Sequence, residues 1–173
     1  NPDIKLLILG SASRDLIHQS SETLAGRIKY IEIFPFKLKE VNNMNVLWSR
    51  GGFPKSYLSH KESESYVWRK EYIATFLERD LSNMGFVASP RQMRRLWSML
   101  AHYHGNIVNY SDLGRSLGVT YKTIQAYINI LEGAFMVRCL RPWFENIKKR
   151  QVKAPKLYIR DSGILHAFLD VHY

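Results

Sequence analysis

Tyr121, Lys122, Gln125 and Asn129 fall on one side of a helical repeat in the stretch TYKTIQAYINILE, and their types suit contact with a nucleic acid. A lysine ammonium meets phosphate or guanine, whereas glutamine and asparagine amides can pair bidentately with adenine in a major groove. A second set, Lys148, Lys149, Arg150 and Lys153, lies in VRCLRPWFENIKKRQVKAPKLYIR, residues 137–160, where eight basic residues stand against one acid. That stretch carries +7 of a net charge of +10. Basic residues interleaved with Trp143, Phe144 and Tyr158 are the electrostatic footprint of a phosphate-backbone contact. The same composition also suits a solvated loop or a docking face for an acidic partner domain.

Other groupings carry less chemistry. His102 and His104 are two apart, which suits a metal only on a strand or loop, and no third ligand accompanies them, so they read as residues at a helix end. Ser11 to Arg14 is not a nucleophile elbow, because Arg14 stands where GxSxG needs glycine. Asp161 follows a candidate strand and precedes Ser162-Gly163, which opens a last helix; it can cap that helix or position the wing, and with no second acid to make a metal site it reads as structural. No acid pair, metal cluster or phosphate loop can be assembled, so the chain is not expected to be an enzyme by itself.

Composition sets the frame for these residues. With 173 residues, 46% of them hydrophobic, the chain can bury a core and is too apolar to be disordered. No apolar run approaches the roughly 20 residues that cross a bilayer, and Asn1-Pro2-Asp3 lacks the layout of a signal peptide. The single cysteine, Cys139, cannot form an internal disulfide and suits a reducing compartment, so a cytoplasmic location is expected.

The elements that must position the candidate residues can be read from periodicity. Ile4 to Leu9 is nearly continuous in apolar residues, as a strand buried on both faces is, and Ile28 to Phe34 alternates as a strand up to Pro35. Lys37 to Trp48 is expected to be helical, Arg50-Gly51-Gly52-Phe53-Pro54 to break it, and Glu62 to Leu81 to form the longest helix. Ser89-Pro90 starts a helix whose Met93, Leu96, Trp97 and Leu100 follow the i, i+3, i+4, i+7 rule and which ends near His104-Gly105-Asn106. Ser111 is expected to cap a short helix, Asp112 to Leu117, ended by Gly118. Thr120 then caps a longer one to about Glu132, with Ile124, Ile128 and Leu131 inward. Two helices joined by a short turn with glycine make a helix-turn-helix. The run to Leu140, the basic loop and Lys156 to Ile159 read as a β-hairpin wing. The expected fold is therefore mainly α with small β.

Five segments in order, LILGSAS, SETLAGRIKYIEIFPFKLKE, RGGFP with WRKEYIATFLERDL, HGNIVNYSDLGRSLGVTYKTIQAYINILEGAFMV, and RPWFENIKKRQVKAPKLYIRDSGILHAFLD, resemble the prokaryotic AAA-type ATPases that carry the domain of unknown function 4143. The resemblance implies the end of an α/β P-loop module at 1–50, a linking helical region at 51–88 and a winged-helix domain at 89–173. It also implies a sensor-1-like role for Ser11 and an arginine-finger-like role for Arg27. There is no GxxxxGK[ST] loop, so the resemblance implies that ATP and Mg belong to a longer parent, with no cofactor in this chain. On this reading the partners are DNA, the parent's ATPase and C-terminal nuclease-like segments and, less directly, a second copy of the chain, with no membrane. The alternative is a regulatory module whose basic wing docks on a partner domain.

Overall fold

In the computed structural model residues 29, 31–81, 89–143 and 154–173 are described. Ser11, Arg27, Lys148, Lys149, Arg150 and Lys153, and the expected strand Ile4 to Leu9, lie outside them. Among the described residues the protein is mainly helical, with eight α-helices and one two-stranded sheet.

The expected helix from Lys37 to Trp48 divides in two, α1 (Leu38–Val41) and α2 (Met44–Arg50). The cause is Asn42-Asn43: Asn42 takes the left-handed conformation at φ 53°, and the Asn43 side chain accepts from the Val46 amide at 3.1 Å to begin α2. Two adjacent residues that favour ends over interiors thus outweigh the helical spacing around them. Gly51 breaks α2, as expected, and α3 (Pro54–Tyr57) begins on a proline. Of the expected strand Ile28 to Phe34, the described residues 31–34 have no regular secondary structure and enter no sheet.

Helix α4 (Glu62–Thr75) continues without a break into a π-helical turn, Phe76–Asp80, which turns Phe76 and Leu77 into the interior. Helix α5 (Pro90–His102) buries Met93, Leu96, Trp97 and Leu100, the four positions its periodicity marks. The Trp97 ring lies 5.3 Å from Phe76 and 4.9 Å from Phe168, so one aromatic side chain joins three elements.

Helices α6 (Tyr110–Leu117) and α7 (Tyr121–Gly133) follow, with Gly118 left-handed at φ 75° between them. The cap of α6 is Asn109, whose side chain accepts from the Asp112 amide at 3.1 Å, and Ser111, expected in that role, lies within the helix. Asparagine and serine are about equal as caps, so residue type alone does not favour Ser111 over Asn109. Thr120 caps α7 as expected, accepting from the Thr123 amide at 3.2 Å.

Strands β1 (Val137–Leu140) and β2 (Lys156–Ile159) pair antiparallel, with Arg138 opposite Tyr158 and Leu140 opposite Lys156. Ile107 adds an isolated bridge to Lys156, so three stretches of chain lie side by side. Outward-facing donors at the sheet edges are taken by side chains. The Cys139 amide donates to Glu132 Oε1 at 3.1 Å, and the Ile159 amide donates to His104 Nδ1 at 3.1 Å. One face of the sheet, Val137, Leu157 and Ile159, is buried in the core. Finally α8 (Ser162–Leu169) packs against α2, α4 and α5, and of the two structural roles open to Asp161 it is the cap of this helix that is observed. The buried residues from Ile73 to Ala167 form one cluster.

Candidate nucleic-acid interface

The outer face of α7 is set by what its inner face buries. Ile124, Ile128 and Leu131 are almost fully enclosed, and this fixes the helix so that Tyr121, Lys122, Gln125 and Asn129 are exposed. All four expected residues therefore share one solvent-facing row. Among the described residues none of the four makes a side-chain hydrogen bond or ion pair, so their donors and acceptors face water. The row begins at the capped N-terminus of the helix, and the turn before it forms a shallow concavity lined by Gly114, Arg115, Gly118, Thr120 and Tyr121. Arg115 is held by Asp112, three residues earlier on α6.

At the hairpin, Arg138 and Lys156 are exposed on the face of the sheet away from the core, and Arg141 is exposed just beyond β1. In the sequence these three stand out only as part of the net charge of residues 137–160. The alternation in VRCL and KLYI, with every second residue buried, is the signal that gives them one direction. Trp143 is 79% exposed.

A second polar cluster is buried, and periodicity gave no sign of its role. Arg69, 1% exposed, donates from Nη2 to Glu62 at 2.6 Å and from Nη1 to the carbonyls of Ser49 at 2.7 Å and Gly163 at 3.2 Å. Glu62 also receives Arg50 Nε at 2.8 Å, so one carboxylate stands between two guanidinium groups. Asp161 accepts from the Gly52 amide at 2.7 Å and the Ile164 amide at 2.9 Å. Burial pushes Arg69 below and Asp161 above their ordinary values, and in each case the hydrogen-bond partners oppose the shift. The glycines here are spacers: a Cβ on Gly51 would fall within the Asp161 carboxylate, and one on Gly163 would fall on the Arg50 carbonyl. With its hydrogen bonds directed at backbone or at another charge, the cluster joins α2, α3 and α4 to α8 and acts as a structural joint. The signal available was Glu62, Ser65 and Arg69, spaced so that all three lie on one side of α4, the side that also carries Ile73.

Other titratable groups are similarly enclosed. Burial pushes the Cys139 thiol up to about 11, which keeps it protonated and unreactive. His104 and His166 are both held below the ordinary 6.5 by burial. His166 lies between Trp48, at 5.0 Å, and Tyr173, at 5.2 Å. Among the described residues no group of three or more His, Cys, Asp or Glu comes together to hold a metal ion, and no helix is long and apolar enough to cross a membrane.

Comparison with known proteins decides the family. The model of a domain of unknown function, DUF8612, matches residues 42–173. The chain belongs to that family. It is 46% identical over 169 residues, 96% of its length, to the uncharacterized protein Mb2031c of Mycobacterium bovis and equally to the uncharacterized protein Rv2008c of Mycobacterium tuberculosis. The chain spans 38% of the length of these relatives. No solved structure matches it. The resemblance to AAA-type ATPases carrying domain 4143 is thereby corrected: the family that covers residues 42–173 is DUF8612. Order-of-segment likeness without a phosphate loop was too weak to tell one family from another. The roles given to Ser11 and Arg27, and the ATP and Mg of a longer parent, rested on that likeness and are not carried forward.

Proposed function

We propose that this member of the DUF8612 family binds duplex DNA through a winged helix-turn-helix at residues 89–173. Helix α7 enters the major groove, and the basic hairpin segment lies along the phosphate backbone. The observation that carries the proposal is the exposed row Tyr121, Lys122, Gln125 and Asn129 on a helix held by a buried aliphatic stripe. The order of elements supports it: α5, the Ile107 bridge, α6, the glycine turn, α7 and then the β1–β2 hairpin follow the winged-helix plan. In this reading Lys122 meets phosphate or guanine, Gln125 and Asn129 read adenine edges, and Lys148, Lys149, Arg150 and Lys153 neutralise backbone phosphates.

The test is the binding of labelled duplex DNA across a salt series. The expected result is an affinity that falls steeply and log-linearly with salt, because each neutralised phosphate releases a counterion. Replacing Lys148, Lys149 and Arg150 together by alanine is expected to weaken binding uniformly across sequences and to flatten the salt slope. Affinity near zero, or affinity insensitive to salt, overturns the proposal.

A further inference from the structure

The small sheet has a second face. Alternation sends Val137, Leu157 and Ile159 into the core, so Arg138, Leu140, Lys156 and Tyr158 share the opposite side, and the bridge to Lys156 brings Ile107 onto it. Ile107, Lys156 and Leu140 thus form one row across three stretches of chain, with Ile107 61% and Leu140 49% exposed. In the next row Arg138 stands opposite Tyr158, whose ring meets His104 edge-on at 5.5 Å. Two exposed aliphatic side chains flanked by cations make a mixed surface. Ile107 and Leu140 have nothing to offer a phosphodiester, and they gain by being covered with apolar atoms.

The occupant's chemistry is indicated beside one end of this face, where another part of the chain already meets a cation. Just past the end of β2, Arg160 pairs with the Glu32 carboxylate at 3.1 Å and has the Phe34 ring 5.4 Å from its guanidinium. Glu32 and Phe34 belong to a segment, Ile31 to Phe34, that interleaves apolar residues with an acid. Toward Arg138, Lys156 and Arg141 the face continues with the same pairing of cation and apolar surface. The carboxylate at the sheet's free edge, Glu132, is turned to the Cys139 amide.

We infer that the outer face of the sheet, built by Ile107, Leu140, Arg138 and Lys156, docks an acidic amphipathic segment of a partner protein. The partner's apolar side chains cover Ile107 and Leu140, and its carboxylates meet Arg138 and Lys156. Charge complementarity selects an acidic occupant, and the aliphatic row selects a protein over a nucleic acid. The site is separate from the outer row of α7 and does not depend on the DNA-binding reading.

The probe is a labelled amphipathic helical peptide with a leucine stripe and an all-glutamate polar face, compared with the same peptide carrying lysine in place of glutamate. Fluorescence anisotropy with the whole chain is expected to show binding of the glutamate peptide and none of the lysine peptide. The double variant Arg138→Glu/Lys156→Glu and the double variant Ile107→Ser/Leu140→Ser are each expected to weaken it by about tenfold or more. Because all four positions are exposed, thermal melts are expected to stay close to those of the parent chain, which separates lost docking from lost folding. DNA affinity of the serine variant is expected to be unchanged. Equal binding of both peptides, or binding insensitive to the serine variant, overturns the inference. A loss of DNA affinity in the serine variant also overturns it and assigns the face to nucleic acid. Concentration-dependent self-association abolished by the serine variant overturns it in favour of a second copy.

Discussion

The buried cluster around Arg69 and the exposed row on α7 use similar side chains in opposite ways. At the cluster, guanidinium and carboxylate groups are largely enclosed and satisfied by internal partners, several of them far away in sequence: Arg69 reaches Gly163 and Ser49, and Asp161 reaches Gly52. On α7 the amides of Gln125 and Asn129 and the ammonium of Lys122 are bound to no described residue. A polar group that has lost its water and found internal partners works for stability, whereas one left hydrated above an apolar stripe costs the fold almost nothing and stays available to a ligand. The difference lies in where the hydrogen bonds go, since the residue types overlap.

The largest expected effect that would break this contrast is at Arg69. Arg69→Met is expected to destabilise the chain by roughly 3 kcal/mol or more, seen as a lower urea midpoint, because the carbonyls of Ser49 and Gly163 lose a donor and Glu62 loses one of its two cations. A shift below about 1 kcal/mol would mean that the cluster is not a structural joint.

Next in size is Asp161→Ala, expected to cost about 1–2 kcal/mol through the lost cap of α8 and the orphaned Gly52 amide. The variant Asp161→Asn, which keeps an acceptor oxygen, is expected to recover a good part of that loss in the same melt.

Smaller again is a pH effect. His104 and His166 have folded values below the ordinary 6.5, so folding favours their neutral forms. Their contribution is therefore complete above pH 6.5 and is lost as pH falls through the lower folded values. The melting temperature is expected to drop as pH is lowered below that point. His104→Gln, which still offers an acceptor to the Ile159 amide, is expected to make the drop shallower. Asp161 acts in the opposite sense, its raised value favouring the protonated form as pH falls, so a rise in melting temperature over the histidine range would show its titration to dominate.

The smallest expected effect on stability is at Gln125→Ala, within about 0.5 kcal/mol in the urea melt. The same substitution is expected to remove about 1–3 kcal/mol of discrimination between DNA sequences, read from competition among duplexes. A stability change as large as that of Asp161→Ala would place Gln125 with the structural cluster and erase the contrast.

Much of the helix-turn-helix was legible because its signals are local. Proline at the start of α5, Gly118 in the turn, Thr120 at the cap and the aliphatic stripe of α7 each act within a few residues. The choice of Asn109 over Ser111 and the division at Asn42-Asn43 were not legible, since neighbouring residues of near-equal propensity compete there. The Arg69 cluster was hidden for a different reason: its partners lie up to 109 residues apart, and no period links them. The outward direction of Arg138 and Lys156 could be read from strand alternation, but the neighbour that makes it a surface, Ile107, is a single bridge with no strand pattern of its own. The family, finally, was misread because segment order without a chemical motif tests no particular chemistry.

The side-chain closure of the hairpin edges has a consequence for how anything can attach there. With the Cys139 amide held by Glu132 and the Ile159 amide by His104, those donors cannot template a further strand, and β-augmentation through them would first have to break a bond already made. Recognition at the hairpin must then pass through side chains on its face, so a visitor is chosen by its sequence and not merely by having a backbone.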